Sequence, residues 1–225
     1  MSRIYYCTAV YNRWATFRLL LDSFLAVTQA AGAEHDRLCV YDWDGAGKDI
    51  YSPWPDSVIY CAGNLPGLIN RADARNRAMG CCEPAVDDLV FFVDCDMVLP
   101  VDFSARVRAH VRPGHAYFPI CYSLYQGAPI AECGEGPPYH KNGSTANGWW
   151  RDSGRGNCGF TVADFQTLGG WDGQRFGTRY GREDDDIYWR AYSLCELHRE
   201  RVHGFFHQWH PKLPEEQNPS TRRQA

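Results

Sequence analysis

Residues 88–96 read Asp88-Leu89-Val90-Phe91-Phe92-Val93-Asp94-Cys95-Asp96, an apolar run that ends in two carboxylates one residue apart. The run has no polar face, so it fits a strand covered on both sides, as in the parallel sheet of an α/β protein. Such sheets bind ligands in the crevice outside the carboxyl ends of their strands. Asp94 and Asp96 stand at that end, where paired carboxylates hold a hard divalent cation against the phosphates of a nucleotide. A solvated strand end carries the same pair, so the rest of the chain has to decide.

Upstream, a strand from Ile4 to Val10 leads through Tyr11-Asn12-Arg13 into a helix over Trp14 to Ala31, with Phe17, Leu20, Leu21, Phe24 and Leu25 at helical spacing. A second strand, Arg37 to Tyr41, stops at Asp42-Trp43-Asp44-Gly45, whose aspartates and glycine are turn formers. A short strand over Ser57 to Cys61 follows, then a helix over Leu68 to Met79 carrying Arg71, Asp73, Arg75 and Asn76. Downstream, the pattern predicts a helix over Val101 to His110, a strand over Ala116 to Tyr122, and a Gly-, Pro- and Asn-rich loop from Gln126 to Gly156. A loop of that length inside a compact domain is usually functional. A strand over Asn157 to Val162, a helix over Ala163 to Leu168, a helix opened by Glu183-Asp184-Asp185-Asp186 and running to Leu197, and a strand over Arg201 to Phe206 complete the series. Strands alternating with helices predict an α/β fold with a mixed, mostly parallel central sheet flanked by helices.

The 225 residues suit one domain, and 44% hydrophobic with 14% aromatic residues describes a chain that folds around a core. The net charge of −4 argues against a general affinity for nucleic acid or anionic membrane. With no long apolar segment, and with strand-like sequence beginning at Arg3, the expectation is a soluble, cytoplasmic protein. Ten cysteines form no C-x-x-C pair; Cys7, Cys39 and Cys95 lie in apolar runs and read as reduced core residues, while Cys121, Cys133 and Cys158 leave a bridge open.

Three further clusters carry chemistry. His207 and His210 flank Trp209 and can face one cation, which with Asp96 makes a mixed nitrogen and oxygen site suited to manganese more than magnesium. Glu183 to Asp186 follow Tyr180-Gly181-Arg182, so a glycine-containing segment leads into carboxylates fit to act as general base. Trp149-Trp150-Arg151-Asp152 offers indoles that stack on sugar rings or pack in a core.

In order along the chain, LVFFVDCDMVLP (89–100), GWWRDSG (148–154), CGFTVADFQTLGGWD (158–172), YGREDDDIYWRA (180–191) and HGFFHQWHPK (203–212) form a set. The set resembles nucleotide-sugar glycosyltransferases of the GT-A fold, above all the chondroitin N-acetylgalactosaminyltransferase and β-1,4-galactosyltransferase group. The likeness spans about Ile4 to Lys212 and is strongest from Phe91 onward. It implies a single GT-A domain over residues 1–212, with a polar tail over 213–225.

The resemblance further implies a metal-dependent, inverting transfer of a hexose or N-acetylhexosamine from a UDP-sugar to the hydroxyl of a glycan or other acceptor. Asp96, His207 and His210 would hold manganese, or magnesium, and Asp94 with Cys95 would lie by the nucleotide. Asn12 and Arg13 resemble the family's nucleotide-contacting pair after the first strand, Asp42 or Asp44 would approach the uracil or ribose, and Arg71 the diphosphate side. Asp184 maps to the catalytic base and Glu183 to its neighbour that binds acceptor. Trp149, Trp150, Arg151, Asp152, Tyr180, Gly181 and Arg182 group with the acceptor and sugar. Tyr180 stands where the family has tryptophan and Arg182 where it has glycine. The alternatives are a retaining transferase of the same fold, a transferase acting on a hydroxylated DNA base, and a sugar-binding module without turnover.

Overall fold

The computed structural model describes residues 2–30, 32–130, 147–178 and 181–211. Strand β1 (Ile4–Val10), helix α1 (Trp14–Thr28), β2 (Arg37–Asp42), β3 (Val58–Ala62), α2 (Arg71–Gly80) and β4 (Leu89–Phe92) build the first half. After them come β5 (Met97–Val98), α3 (Phe103–His110), β6 (His115–Tyr117), β7 (Ile120–Leu124), β8 (Gly148–Trp150) and β9 (Cys158–Thr161). Helices α4 (Val162–Thr167), α5 (Gly173–Phe176) and α6 (Glu183–Leu194), with strands β10 (Glu196–His198) and β11 (Arg201–His207), close the chain.

The central sheet has seven strands in the order β10-β6-β9-β4-β1-β2-β3. β1, β2, β3 and β4 pair in parallel, β10 runs parallel to β6, and β9 alone runs antiparallel to its neighbours β4 and β6. The expected mixed, mostly parallel sheet is therefore present. In β4, Phe91 and Phe92 point to opposite faces. Phe91 meets Phe103 edge-on at 5.0 Å on one side, while Phe92 packs on Phe165 at 4.7 Å and Trp171 at 5.4 Å on the other. α1 covers the first face through Phe17, Leu20, Leu21, Phe24 and Val27. α2 and α6 cover the second, contributing Ala74, Ala78, Ile187 and Ala191.

Several boundaries differ from the sequence reading. The first helix stops at Thr28, ahead of Gly32, whose φ of +82° breaks the helix. The second starts at Arg71, because the Asn70 side chain caps it by accepting from the Asp73 N–H at 3.1 Å. The strand expected over Ala116 to Tyr122 divides at Phe118-Pro119 into β6 and β7, which join different sheets. Proline has no N–H for a ladder, which makes it a natural place to change sheets. The last helix ends at Leu194, and residues expected within it form β10. β8 and α5 lie where no element was foreseen.

The second sheet, in the order β5-β11-β7-β8, has four strands and builds one wall of a cleft. Its registers align His207 with Ser123 and Ser123 with Trp149 in one row, and Phe206 with Tyr122 and Tyr122 with Trp150 in the next. Alternate residues of a strand face opposite sides. The row His207, Ser123 and Trp149 lines the cleft. The row Phe206, Tyr122 and Trp150 forms a small apolar cluster behind it. Gly148 permits this close pairing, since a Cβ there would stand 2.1 Å from the Ser123 carbonyl oxygen. All described cysteines are free thiols, and Cys133 lies outside the described residues. No described helix is long and apolar enough to cross a membrane.

Candidate active site

A cleft of about 500 Å³ opens beyond the carboxyl ends of β1 and β4, between the second sheet and the N-terminus of α6. Its near side is built on the turn after β4. The Asp94 N–H donates to the Asn157 Oδ1 at 2.9 Å, which ties that turn to the start of β9. The Gln208 N–H donates to the Asp96 carbonyl at 2.9 Å and brings the end of β11 alongside. Asp96 Oδ2 then lies 2.9 Å from His210 Nε2 and 3.6 Å from His207 Nε2.

The charges in this trio are unequal. Burial would raise the Asp96 pKa, but the neighbouring imidazoles, His210 through a hydrogen bond, hold it well below the carboxylate range. Burial lowers His207, whereas the hydrogen bond and charge of Asp96 overcome burial and raise His210. The two imidazoles thus shift in opposite directions. Both nitrogens of His210 face acceptors, Asp96 on one side and the Pro211 carbonyl at 3.1 Å on the other. A cation at Nε2 would take the place of a proton.

The residues fit a divalent metal. Their ligand atoms lie within 4.8 Å of one another, and the second Asp96 oxygen, Oδ1, is buried without a hydrogen-bond partner. Two imidazole nitrogens with a carboxylate oxygen form a set that accepts manganese. Two other groups among the described residues gather as many candidate ligands. Cys7, Cys39 and Cys82 are thiols packed in the apolar core beneath α2. In the group His110, His198 and Glu200, the two imidazoles stack at 3.7 Å and 10°, so one ion could not lie in both ring planes.

The far side begins at α6. Asp184 and Glu183 enter the cleft from its first turn, where the helix dipole favours negative charge. Glu183 is 3% exposed, and its Oε2 is buried without a partner. Burial first, and the Asp184 charge second, push its pKa up to about 7. A raised acid binds more protons folded than unfolded, so its ionisation costs stability increasingly as pH rises from 4.5 through about 7. Glu183→Gln is therefore expected to gain stability relative to the parent between about pH 5 and about pH 8, read from urea melts at each pH. A difference independent of pH would count against a buried, titrating Glu183.

One residue joins the two sides. Arg75, on α2 and 7% exposed, donates from Nη2 to Asp94 at 2.5 Å and from Nη1 to Asp184 at 2.7 Å. Its guanidinium lies 4.4 Å from the centre of the Trp171 ring. Burial opposes its charge, but Asp184, Asp94 and Glu183 outweigh burial and raise its pKa. Gly156 packs against this bridge: a Cβ there would stand 2.7 Å from Asp184 Oδ2 and 3.0 Å from Arg75 Nη2.

Of the residues singled out from sequence, the cleft brings together Arg13, Arg71, Asp94, Cys95, Asp96, Trp149, Arg151, Glu183, Asp184, His207 and His210. Others sit elsewhere. Asp42 is fully buried and its oxygens accept from the Gly45 and Gly47 N–H groups and the Tyr60 hydroxyl. Asp44 accepts from the Ala46 N–H. These two hold the loop after β2, as turn aspartates do. Asn12, at φ +53°, does not line the cleft. Trp150 is turned into the apolar cluster, and Asp152 pairs with Arg201 at 2.8 Å. Gly181 and Arg182 form the left-handed approach to α6 with φ of +89° and +76°, and Tyr180 lies outside the described residues. Arg75, Ser123, Tyr125 and the exposed Trp209 also line the cleft. Arg75 had a signal in its spacing of four from Arg71, which puts both on one helix face.

A second depression of about 540 Å³ lies by α2 and α5, lined by Asn70, Asn76, Trp171 and Gly173. Its amides are spent on structure: Asn70 donates to the Gly173 carbonyl at 2.8 Å, and Asn76 to that of Trp171 at 2.7 Å. Its carboxylates are engaged as well: Asp73 accepts from Arg77 Nε at 2.7 Å and Asp172 from the Arg175 N–H at 2.9 Å.

Human chondroitin sulfate N-acetylgalactosaminyltransferase 2 is 36% identical over 133 residues, covering 55% of this chain and 23% of its own length. The mouse N-acetyl-beta-glucosaminyl-glycoprotein 4-beta-N-acetylgalactosaminyltransferase 1 is 28% identical over 133 residues, 57% of this chain and 12% of that protein. The chain thus spans about a quarter of the first relative and less of the second. Among solved structures, S. aureus TarS 1–349 in complex with UDP-GlcNAc superposes with a TM-score of 0.68 at 13% identity, over 97% of this chain and 61% of TarS. At that identity the likeness establishes the fold, which is GT-A. A sequence profile of the chondroitin N-acetylgalactosaminyltransferase family matches residues 64–223, from the approach to α2 through the cleft to the tail, and the chain belongs to that family.

Proposed function

We propose that the chain is a metal-dependent, inverting glycosyltransferase that moves a hexose or N-acetylhexosamine from a UDP-sugar to an acceptor hydroxyl. The observation that carries this reading is the presence in one cleft of a candidate cation-binding trio, Asp96, His207 and His210, and a carboxylate, Asp184, at a helix N-terminus. Relatives named for N-acetylgalactosamine transfer make UDP-N-acetylgalactosamine the first donor to test.

A divalent cation held by Asp96, His207 and His210 would supply positive charge toward the leaving diphosphate. The chain itself does the rest. Asp184 accepts the proton of the acceptor hydroxyl as its oxygen bonds to C1 of the sugar. The bond from C1 to the phosphate oxygen breaks on the opposite face, and its electron pair leaves with UDP. A single displacement of this kind inverts C1. Arg75 keeps the Asp184 carboxylate oriented, and Glu183, with its unpartnered oxygen, receives an acceptor hydroxyl. Trp149, Tyr125 and Trp209 offer apolar faces for sugar or base.

The test is a screen of UDP-sugars with manganese, monitoring UDP release and the product by NMR. Manganese-dependent release with an inverted anomeric product is expected; retention at C1 would overturn the inverting assignment, and no release from any donor would overturn the transferase reading. Calorimetry addresses the metal separately. Asp96→Asn and His210→Ala are each expected to abolish the manganese-stimulated part of UDP binding, and unchanged binding in both variants would remove this trio as the metal site.

A further inference from the structure

We infer that Arg151 is a contact of the protein to the diphosphate of the nucleotide, an inference that rests on the glycosyl-transfer reading above. Arg151 follows β8, and its N–H donates to the Cys121 carbonyl at 3.0 Å, which carries the pairing of β7 with β8 one residue further. Strand alternation then puts Arg151 on the same face as Trp149, and both line the cleft.

Its side chain differs from the arginines around it. Arg75 is held by Asp94 and Asp184, Arg155 by Asp185 at 2.5 Å, Arg201 by Asp152, and Arg199 by the Asp152 and Gly154 carbonyls. The Arg151 guanidinium has no hydrogen bond or ion pair among the described residues. Its N–H donors are therefore unspent inside the cleft and available to an anionic ligand.

The surroundings indicate which anion that is. Burial opposes the charge of Arg151, while Cys121 and then Asp94, Asp96 and Asp184 favour it. Arg151 in turn acts on Asp96 and His207. Trp149 shares its row with Ser123 and His207, so Arg151 stands one same-face position from a row that holds one of the candidate metal ligands, in a cleft that Asp94 and Asp96 also line. An anion meeting both guanidinium and cation is the leaving diphosphate, whose oxygens a planar guanidinium grips with two parallel N–H bonds. No proton moves in this contact: Arg151 stabilises the charge that arrives on the phosphate oxygen as its bond to C1 breaks. The residue therefore belongs with the donor, although the family likeness groups it with the acceptor.

Calorimetry tests this with UDP, uridine and inorganic pyrophosphate, on the parent chain, Arg151→Gln and Arg151→Lys, in chelator and in manganese. Arg151→Gln is expected to weaken UDP and pyrophosphate about 10- to 100-fold while uridine binding stays as it was. Arg151→Lys should recover part, keeping the charge without the fork. Added guanidinium should restore part of the turnover of Arg151→Gln. Equal UDP affinity in parent and Arg151→Gln would overturn the inference, as would an equal loss of uridine binding, which a merely structural role predicts. If pyrophosphate binding depends on Arg151 but no UDP-sugar is ever turned over, the transferase reading falls and the anion site stands.

Discussion

Asp184→Asn is expected to lose turnover by about 10²–10⁴-fold, the usual contribution of a positioned general base. The substitution is nearly isosteric. An asparagine Oδ1 still accepts from Arg75 Nη1, now 2.7 Å from the carboxylate, so the bridge across the cleft keeps its shape. What disappears is the capacity to take a proton from the acceptor hydroxyl. Because Asp184 is not among the candidate metal ligands Asp96, His207 and His210, UDP and manganese affinity should remain near those of the parent. Initial rates at saturating donor, paired with calorimetry of UDP, separate the two effects. Parent-like rates would eliminate Asp184 as the base; loss of UDP binding would show that its role is structural.

The largest effect on stability is expected at Arg75. Arg75→Met removes a buried guanidinium and leaves Asp94 and Asp184 facing one another without their shared cation. Losing one partner of a buried ion pair costs about 3–5 kcal/mol. The side chains of Asp94 and Asp184 are 33% and 37% exposed, so water screens part of this and the lower end is expected, about 3 kcal/mol. The stacking on Trp171 is lost as well. Urea denaturation measures the change. Adding Asp184→Asn to Arg75→Met should recover part of it, a coupling expected of groups in contact. A variant as stable as the parent would mean that the bridge contributes nothing to the fold.

The parts of the fold legible in sequence are those specified locally. The apolar run before Asp94 requires cover on both faces, and α1 carries a periodic stripe that only a helix can bury. The split at Pro119 and the strands β8 and β10 were not legible, because three-residue strands are defined by partners far along the chain. In the site, Asp96, His207 and His210 could be grouped by ligand chemistry alone. Arg75 could not: its role exists only where α2 meets residues 19 and 109 positions away. Trp149 and Trp150 looked equivalent until the pairing of β8 with β7 sent one to the cleft and the other to the core. The turn reading of Asp42 and Asp44 matches their hydrogen bonds, which leaves them spent on the loop.

The doubled tryptophan gives β8 an unusual tolerance with a hidden limit. If the strand slipped by one residue against β7, an indole would still meet the cleft, and a stacking measurement would notice little. The same slip would swing Arg151 to the side of Tyr122 and Phe206, away from the cleft and toward an apolar cluster whose Trp150 already lies under the Arg201 guanidinium. Register in this short strand is thus policed by charge rather than by the aromatic pair. Insertions or deletions near Trp149 should be judged by anion affinity, because sugar stacking alone would not report them.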